Sequence, residues 1–83
     1  MTAARRNAST GTIPPAAVGP RATAFLRRVR AAGGTYVCRD KGDRAAAAIC
    51  AREGFVRIDA RDCDLVRLCD DGVAFLDLLM RAH

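Results

Sequence analysis

Apolar and polar residues alternate along this chain with two different periods, and each change of period marks a new element. Between residues 20 and 32 the apolar residues recur at helical spacing. This stripe consists of Ala22, Phe25, Leu26, Val29 and Ala32. A proline suits the first turn of a helix and glycines end one, so the pattern predicts a helix that begins at Pro20 and stops at Gly33-Gly34.

A short strand and a second helix are predicted next. The segment Thr35 to Cys38 is rich in β-forming residues. Asp43 suits the N-cap of a helix over residues 44–53, and Gly54 followed by Phe55 suits a Schellman ending. The residues predicted to face inward are Ala45, Ala46, Ile49 and Cys50, and those predicted to be more exposed are Arg44, Ala47, Ala48, Ala51 and Arg52.

Residues 55–69 alternate with the period of two that is typical of a half-buried β-hairpin. With a turn centred on Asp62, the predicted cross-strand pairs are Val56 with Leu68, Arg57 with Arg67 and Ile58 with Val66. Two arginines directly opposite each other repel, so an anion is expected between them. That anion is either the carboxylate of Asp59, which is diagonal to Arg67, or a bound phosphate.

Asp70-Asp71-Gly72 predicts the start of a last helix, because acidic residues favour the N-terminal end of the helix dipole. Its apolar stripe consists of Val73, Leu76, Leu79 and Met80, while Phe75 and Leu78 lie away from the centre of that stripe. This face is broader than one contact needs, so the N-terminal arm or a second chain is expected to cover the remainder. We predict a two-fold homodimer through Phe75, Leu78 and Leu79.

Residues 1–19 lack any periodicity, which predicts a flexible basic arm before one domain over residues 20–83. The arm carries Arg5 and Arg6 and contains two adjacent prolines. Its sizeable aliphatic residues, Ile13 and Val18, are expected to fix it to the domain if the arm is ordered.

The charges are unevenly distributed along the chain. The net charge is +5, but residues 1–39 contain seven arginines and no acidic residue, while residues 40–83 contain seven basic and nine acidic residues. A field of one sign attracts polyanions or an acidic protein surface. Thirteen of the fourteen basic residues are arginine, which suits phosphate recognition but is equally expected of a GC-rich genome.

Catalytic and metal-binding chemistry is not indicated by the sequence. The single histidine is His83, and no nucleophile–base grouping or glycine-rich phosphate loop is present. The cysteines, Cys38, Cys50, Cys63 and Cys69, lack the spacing of a zinc site, so we expect no enzyme, metal or cofactor. Free buried thiols and the absence of a long apolar run favour a cytoplasmic protein without a membrane segment, although the N-terminal composition also permits an organelle transit peptide.

The segments GFVRI and LVRLCDDGVAFLDLL resemble the end of a winged-helix domain. In that family a helix is followed by a hairpin wing, whose last strand leads into the start of another helix. The resemblance covers about residues 20–80 and implies an α+β fold in the order helix, short strand, helix, hairpin, helix. It implies a DNA-binding module, with Asp43 to Glu53 as the recognition helix and Ala60-Arg61-Asp62 as the tip of the wing. The interval between Gly34 and Gly54 is short, so the helix-turn-helix is expected in a reduced form.

Two functions follow, in order of preference. The first is a transcriptional regulator that grips DNA mostly through its phosphate backbone, since the recognition helix offers alanines where base-reading residues are expected. The second is a protein-binding inhibitor on a winged-helix-like scaffold, such as a phage-encoded anti-CRISPR protein, which covers an acidic or nucleic-acid-binding protein surface. The predicted binding residues are Arg27, Arg28, Arg30, Lys41, Arg44, Arg52, Arg57, Arg61 and Arg67, together with Arg5 and Arg6 of the arm.

Overall fold

The computed structural model describes residues 18–81, in which three helices and three strands follow in the predicted order. The elements are α1 (Gly19–Ala31), β1 (Thr35–Val37), α2 (Lys41–Arg52), β2 (Val56–Ile58), β3 (Leu65–Leu68) and α3 (Asp70–Arg81). The predictions for Arg5, Arg6 and Ile13 fall outside the described residues. Val18 is buried, as predicted.

The three strands form one antiparallel sheet in the order β1-β3-β2. The predicted hairpin register is confirmed, since Val56 pairs with Leu68, Arg57 with Arg67 and Ile58 with Val66. β1 pairs with the other side of β3 and places Thr35 opposite Arg67 and Tyr36 opposite Val66. The hydrophobic alternation fixes this register because a slip by one residue would turn the apolar side chains to solvent.

The core lies on one side of the sheet only. α1 packs against β1 and β3, α2 packs against β2 and α1, and α3 packs against α1. Along the strands Val56 and Val66 are buried, whereas Arg57 and Arg67 are exposed. Among residues 18–81 the sheet therefore has one face covered by helices and one face that no other element covers.

The second helix begins earlier than predicted, and its cap is Asp40 rather than Asp43. The Asp40 side chain accepts a hydrogen bond from the backbone N–H of Asp43 at 2.9 Å. Asp43 in turn accepts one from the backbone N–H of Arg39 at 2.9 Å, an exchange that is similar to a capping box. Asp43 is therefore a buried residue of the first turn.

The inward face of α2 also differs from the prediction. Ala47, predicted to be exposed, is buried, whereas Ala45 and Ile49 are exposed. Small residues at the contact let the helices approach so closely that the Cys50 thiol donates to the carbonyl oxygen of Ala22 at 3.6 Å. Ile49 is 39% exposed and is not part of the buried core.

The third helix uses its broad apolar face within one chain. Phe75 and Leu79, two of the three predicted dimer residues, are buried in the core, and the Phe75 ring stacks on Phe55 with centroids 4.6 Å apart. Of the predicted interface only Leu78 is at the surface, with 36% exposure. Two of the three residues of the predicted interface therefore already pack within the chain, and the homodimer itself stays a prediction.

Candidate anion-binding surface

Four exposed side chains occupy the face of the sheet that the helices leave uncovered. They are Thr35, Val37, Arg57 and Arg67, and we call them the open sheet face. Arg67 lies on the central strand, with Arg57 directly opposite on β2 and Thr35 directly opposite on β1. Adjacent strands are about 4.8 Å apart, so these three residues form a row of hydrogen-bond donors across the sheet.

The carboxylate expected to neutralise the two arginines serves another purpose. Asp59 Oδ2 accepts hydrogen bonds from the backbone N–H groups of Arg61 and Asp62, at 2.9 and 3.0 Å. Within residues 18–81 no carboxylate oxygen lies within 4.0 Å of the guanidinium nitrogens of Arg57 or Arg67. The expectation that Asp59 separates the arginines is therefore wrong, because Asp59 holds the hairpin loop instead.

Three of the predicted binding arginines are paired with carboxylates. Arg28 Nη2 lies 3.2 Å from Asp43 Oδ1, Arg30 Nη2 lies 2.9 Å from Asp77 Oδ1, and Arg44 Nε donates to Asp64 Oδ1 at 2.8 Å. The bond to Asp64 also raises the pKa of Arg44. These cations are less available to a ligand, because binding would first have to separate each pair.

Arg28 is a structural residue as well as a surface cation. Its guanidinium lies 5.6 Å from the ring centroid of Phe25 and 5.9 Å from that of Tyr36, and it pairs with the buried carboxylate of Asp43. The Tyr36 hydroxyl lies 3.5 Å from the other carboxylate oxygen of Asp43. Since a buried charge needs a partner, Arg28 joins α1 to β1 and α2.

One exposed stripe of α2 has a basic residue at each end and alanines between them. Lys41, Ala45, Ala48 and Arg52 are all exposed and follow one stripe of the helix, which we call the α2 outer face. This placement agrees with the predicted exposure of Arg52. The stripe offers one lysine and one arginine, and it has no Asn, Gln, Ser or Thr side chain to read a base edge.

The loop that contains the predicted tip of the wing carries more acidic than basic residues. The loop over residues 59–64 contains Asp59, Asp62 and Asp64 against the single Arg61. Asp62 Oδ1 accepts from the backbone N–H of Asp64 at 3.0 Å, and Arg61 is exposed. These side-chain-to-backbone bonds give the loop a fixed turn, and they also keep three carboxylates close together.

The arginines of α1 divide between two sides of the helix. Arg27 and Arg30 border a groove of about 490 Å³ between α1 and α3, whose apolar lining is Ala31, Leu76 and Met80. Arg21 and Arg28 border a second cavity of about 270 Å³ beside the start of α2. The helix therefore does not present its four arginines as one patch.

The cysteines are free thiols in different surroundings. Cys38 and Cys50 are buried, Cys63 is exposed and Cys69 is half-buried. Burial raises the pKa of Cys38 and raises that of Cys50 to about 11. A thiol with a raised pKa is a poor nucleophile near neutral pH, so the two buried cysteines act as small core residues.

Other kinds of site were sought in the part of the chain that the structure describes. Between residues 18 and 81 no group of three or more His, Cys, Asp or Glu side chains is placed to hold a metal ion. No helix in the same region is both long enough and apolar enough to cross a bilayer.

Two features of this surface were not predicted from the sequence. Thr35 joins the arginine row only because β1 pairs with β3, which the hairpin pattern alone does not indicate. The role of Asp43 as partner of Arg28 depends on the packing of α1 against α2. The sequence did contain a signal that Asp43 belongs inside the helix. The motif Asp-Lys-Gly-Asp has two acidic residues three apart before an apolar run, which is similar to the pattern of a capping box.

Comparisons with protein-family models, with curated proteins and with solved structures each found no match to this chain.

Proposed function

We propose that this protein is a small, non-enzymatic nucleic-acid-binding protein that contacts the phosphate backbone of DNA from a winged-helix-like scaffold. Two observations support this scaffold. The helix α2 leads directly into the β2–β3 hairpin, and the strands of the sheet follow the order β1-β3-β2. Between β1 and β2 the chain has one helix, α2, which fits a reduced helix-turn-helix.

The observation that carries the proposal is that most acidic side chains are engaged within the fold, whereas most basic side chains are not ion-paired. Residues 18–81 contain twelve basic and nine acidic residues. Six of the nine acids are engaged within the fold, either in ion pairs or as acceptors of backbone N–H groups. Three basic residues of this region are ion-paired, and the other nine have no carboxylate of residues 18–81 within 4.0 Å. Unpaired arginines on an exposed surface suit the phosphates of a polyanion.

The proposed mode of binding is insensitive to sequence. Arginine and threonine side chains donate to phosphate oxygens, which fixes a protein on the duplex without reading bases. The α2 outer face has alanines between Lys41 and Arg52, so it lacks the paired donors and acceptors that distinguish base pairs in the major groove.

The alternative function, a protein-binding inhibitor, is favoured by a different observation. Val37 and Met80 are 53% and 68% exposed, and they lie on separate surfaces of the domain. Exposed aliphatic side chains beside arginines are typical of a contact with an acidic protein.

Retention of DNA and of protein partners separates the two functions. Purified protein is first mixed with a labelled duplex at low salt in an electrophoretic shift assay, and a shift that weakens steeply as salt rises is expected. Tagged protein is then used to capture partners from a bacterial lysate with and without nuclease. Loss of all partners after nuclease supports DNA binding, whereas the absence of any duplex shift together with nuclease-resistant partners contradicts it.

A further inference from the structure

Resting on the proposed function, we infer that the nucleic-acid backbone lies across the open sheet face, held by Thr35, Arg57 and Arg67, instead of along α2 and the tip of the hairpin. The observation behind this is the row of donors on three adjacent strands, which ends in two arginines with no carboxylate of residues 18–81 within 4.0 Å.

The arginine pair is arranged to bracket one phosphate. Directly paired strand residues have Cβ atoms about 5 Å apart on the same face of the sheet. Two guanidinium groups on such positions can reach oxygens of one anion, and each can donate two parallel hydrogen bonds. Without an anion this pair destabilises the hairpin by like-charge repulsion, and a bound phosphate reverses the sign of that interaction.

Thr35 and Val37 extend the surface beyond the two charges. Thr35 lies on the far side of Arg67 in the same row, and its hydroxyl can donate to a neighbouring phosphate oxygen. Val37 is 53% exposed on the same strand and gives the surface an apolar border against which a sugar can pack. The occupant that fits is therefore a phosphodiester chain and not an isolated hydrophobic ligand.

The surface that a winged-helix domain would normally use is less suitable in this chain. Placing α2 and the hairpin loop against a duplex would bring Asp59, Asp62 and Asp64 towards the phosphates, against one arginine, Arg61. Arg44, the arginine of α2 nearest to this loop, is already bonded to Asp64 at 2.8 Å. Like charges at such a contact disfavour it, whereas no carboxylate of residues 18–81 lies within 4.0 Å of the arginine pair on the open sheet face.

Two charge-matched double variants of the full chain distinguish the surfaces. Arg57→Gln/Arg67→Gln removes two charges from the open sheet face, and Lys41→Gln/Arg52→Gln removes two charges from the α2 outer face. Duplex affinity is measured for each by fluorescence anisotropy at low salt, after circular dichroism has shown that both fold. We expect the sheet variant to lose about tenfold or more in affinity and the α2 variant to lose no more than about threefold.

Chemical-shift mapping of the unsubstituted protein makes the test independent of whether the variants fold. On addition of duplex, the largest amide shifts are expected at residues 35–37, 57 and 67. Shifts centred on residues 41–52 and 59–64, or a larger loss of affinity in the α2 variant, would overturn the inference while leaving the proposed function intact. If the unsubstituted protein binds no duplex at low salt, the proposed function fails and the inference fails with it.

Discussion

Arg57 and Arg67 lie directly opposite each other on β2 and β3, both exposed, on the face of the sheet that the helices leave open. A like-charged pair at directly opposed strand positions is unfavourable by some tenths of a kcal/mol. The same strands have a well-matched apolar face, with Val66 and Val56 buried. The hairpin is therefore stabilised from the core side and strained by charge on the open side, as expected of a surface that binds an anion.

This strain predicts opposite effects of one substitution on stability and on binding. Arg67→Thr removes the repulsion and puts a β-branched residue in the central strand. We expect the free energy of unfolding to rise by about 0.2–1 kcal/mol in urea denaturation while duplex affinity falls. Arg61→Thr, which removes a charge from the loop and not from a strand pair, is the matched control and should not stabilise. If Arg67→Thr instead lowers the free energy of unfolding, the predicted repulsion between Arg57 and Arg67 is contradicted.

Arg28 should matter for stability more than its exposed position indicates. Arg28→Ala leaves the Asp43 carboxylate, which is 4% exposed, without its ion-pair partner, and we expect a loss of about 1–3 kcal/mol in urea denaturation. Arg27→Ala is the control, since Arg27 is the neighbouring exposed arginine with no carboxylate of the described chain within 4.0 Å, and it should change stability by less than about 0.5 kcal/mol.

Asp43→Asn, combined with Arg28→Ala, tests why Arg28→Ala lowers the stability. In the Arg28→Ala background it removes the unpaired charge and should restore part of the lost stability. Additive losses in the double variant would mean that Arg28 acts through its contacts with Phe25 and Tyr36 and not through the ion pair.

Gly72 allows α3 to approach the backbone of Phe55, which lies between α2 and β2. A Cβ at this position would clash with the carbonyl oxygen of Phe55 and would lie 2.7 Å from Cδ1 of Leu68. We therefore expect Gly72→Ala to lower the melting temperature by an amount that corresponds to about 2 kcal/mol or more. Gly42→Ala is the helical control, because its Cβ would meet only Asp40 Oδ1 at 3.3 Å. Equal effects of the two substitutions would contradict the close approach at Gly72.

Cys50 should make the fold less stable in alkali. Burial raises the pKa of Cys50 from 9.0 to about 11, so the folded state keeps a proton that the unfolded thiol has lost. Stability is therefore fully present below about pH 9 and decreases towards pH 11 by about 2–3 kcal/mol. Urea denaturation across this range should show a steeper decrease for the unsubstituted protein than for Cys50→Ala. Parallel pH profiles would contradict this prediction.

The order of elements and the hairpin register could be predicted because local rules determine them. Alternation of period two, interrupted by a turn at Asp62, fixes Val56 opposite Leu68 without knowledge of the rest of the fold. The prolines, glycines and caps that mark the helix ends are equally local signals. The error in α2 was also local, because Asp40 and Asp43 are both acceptable caps and the bond from the Asp43 N–H selects Asp40.

The facing of the helices and the pairing of charges could not be predicted, because both depend on packing between distant segments. Ile49 lies outward because Ala47 and Cys50 let α2 approach α1 closely, and Phe75 is buried because it stacks on Phe55. Hydrophobic periodicity permits these buried faces but does not select them, because each helix also carries apolar residues at neighbouring positions. The arrangement of the predicted binding arginines also depended on packing, and the structure divides those of α1 between two cavities.

The most direct test of anion binding at the open sheet face is the salt dependence of duplex affinity, compared between the unsubstituted protein and Arg57→Gln/Arg67→Gln. Each phosphate contact contributes about one to the magnitude of the slope of log affinity against log salt concentration. Because the two arginines bracket one phosphate, the account predicts a slope that is shallower by about one in the double variant. Equal slopes for the two proteins, at measurable affinity, would contradict it.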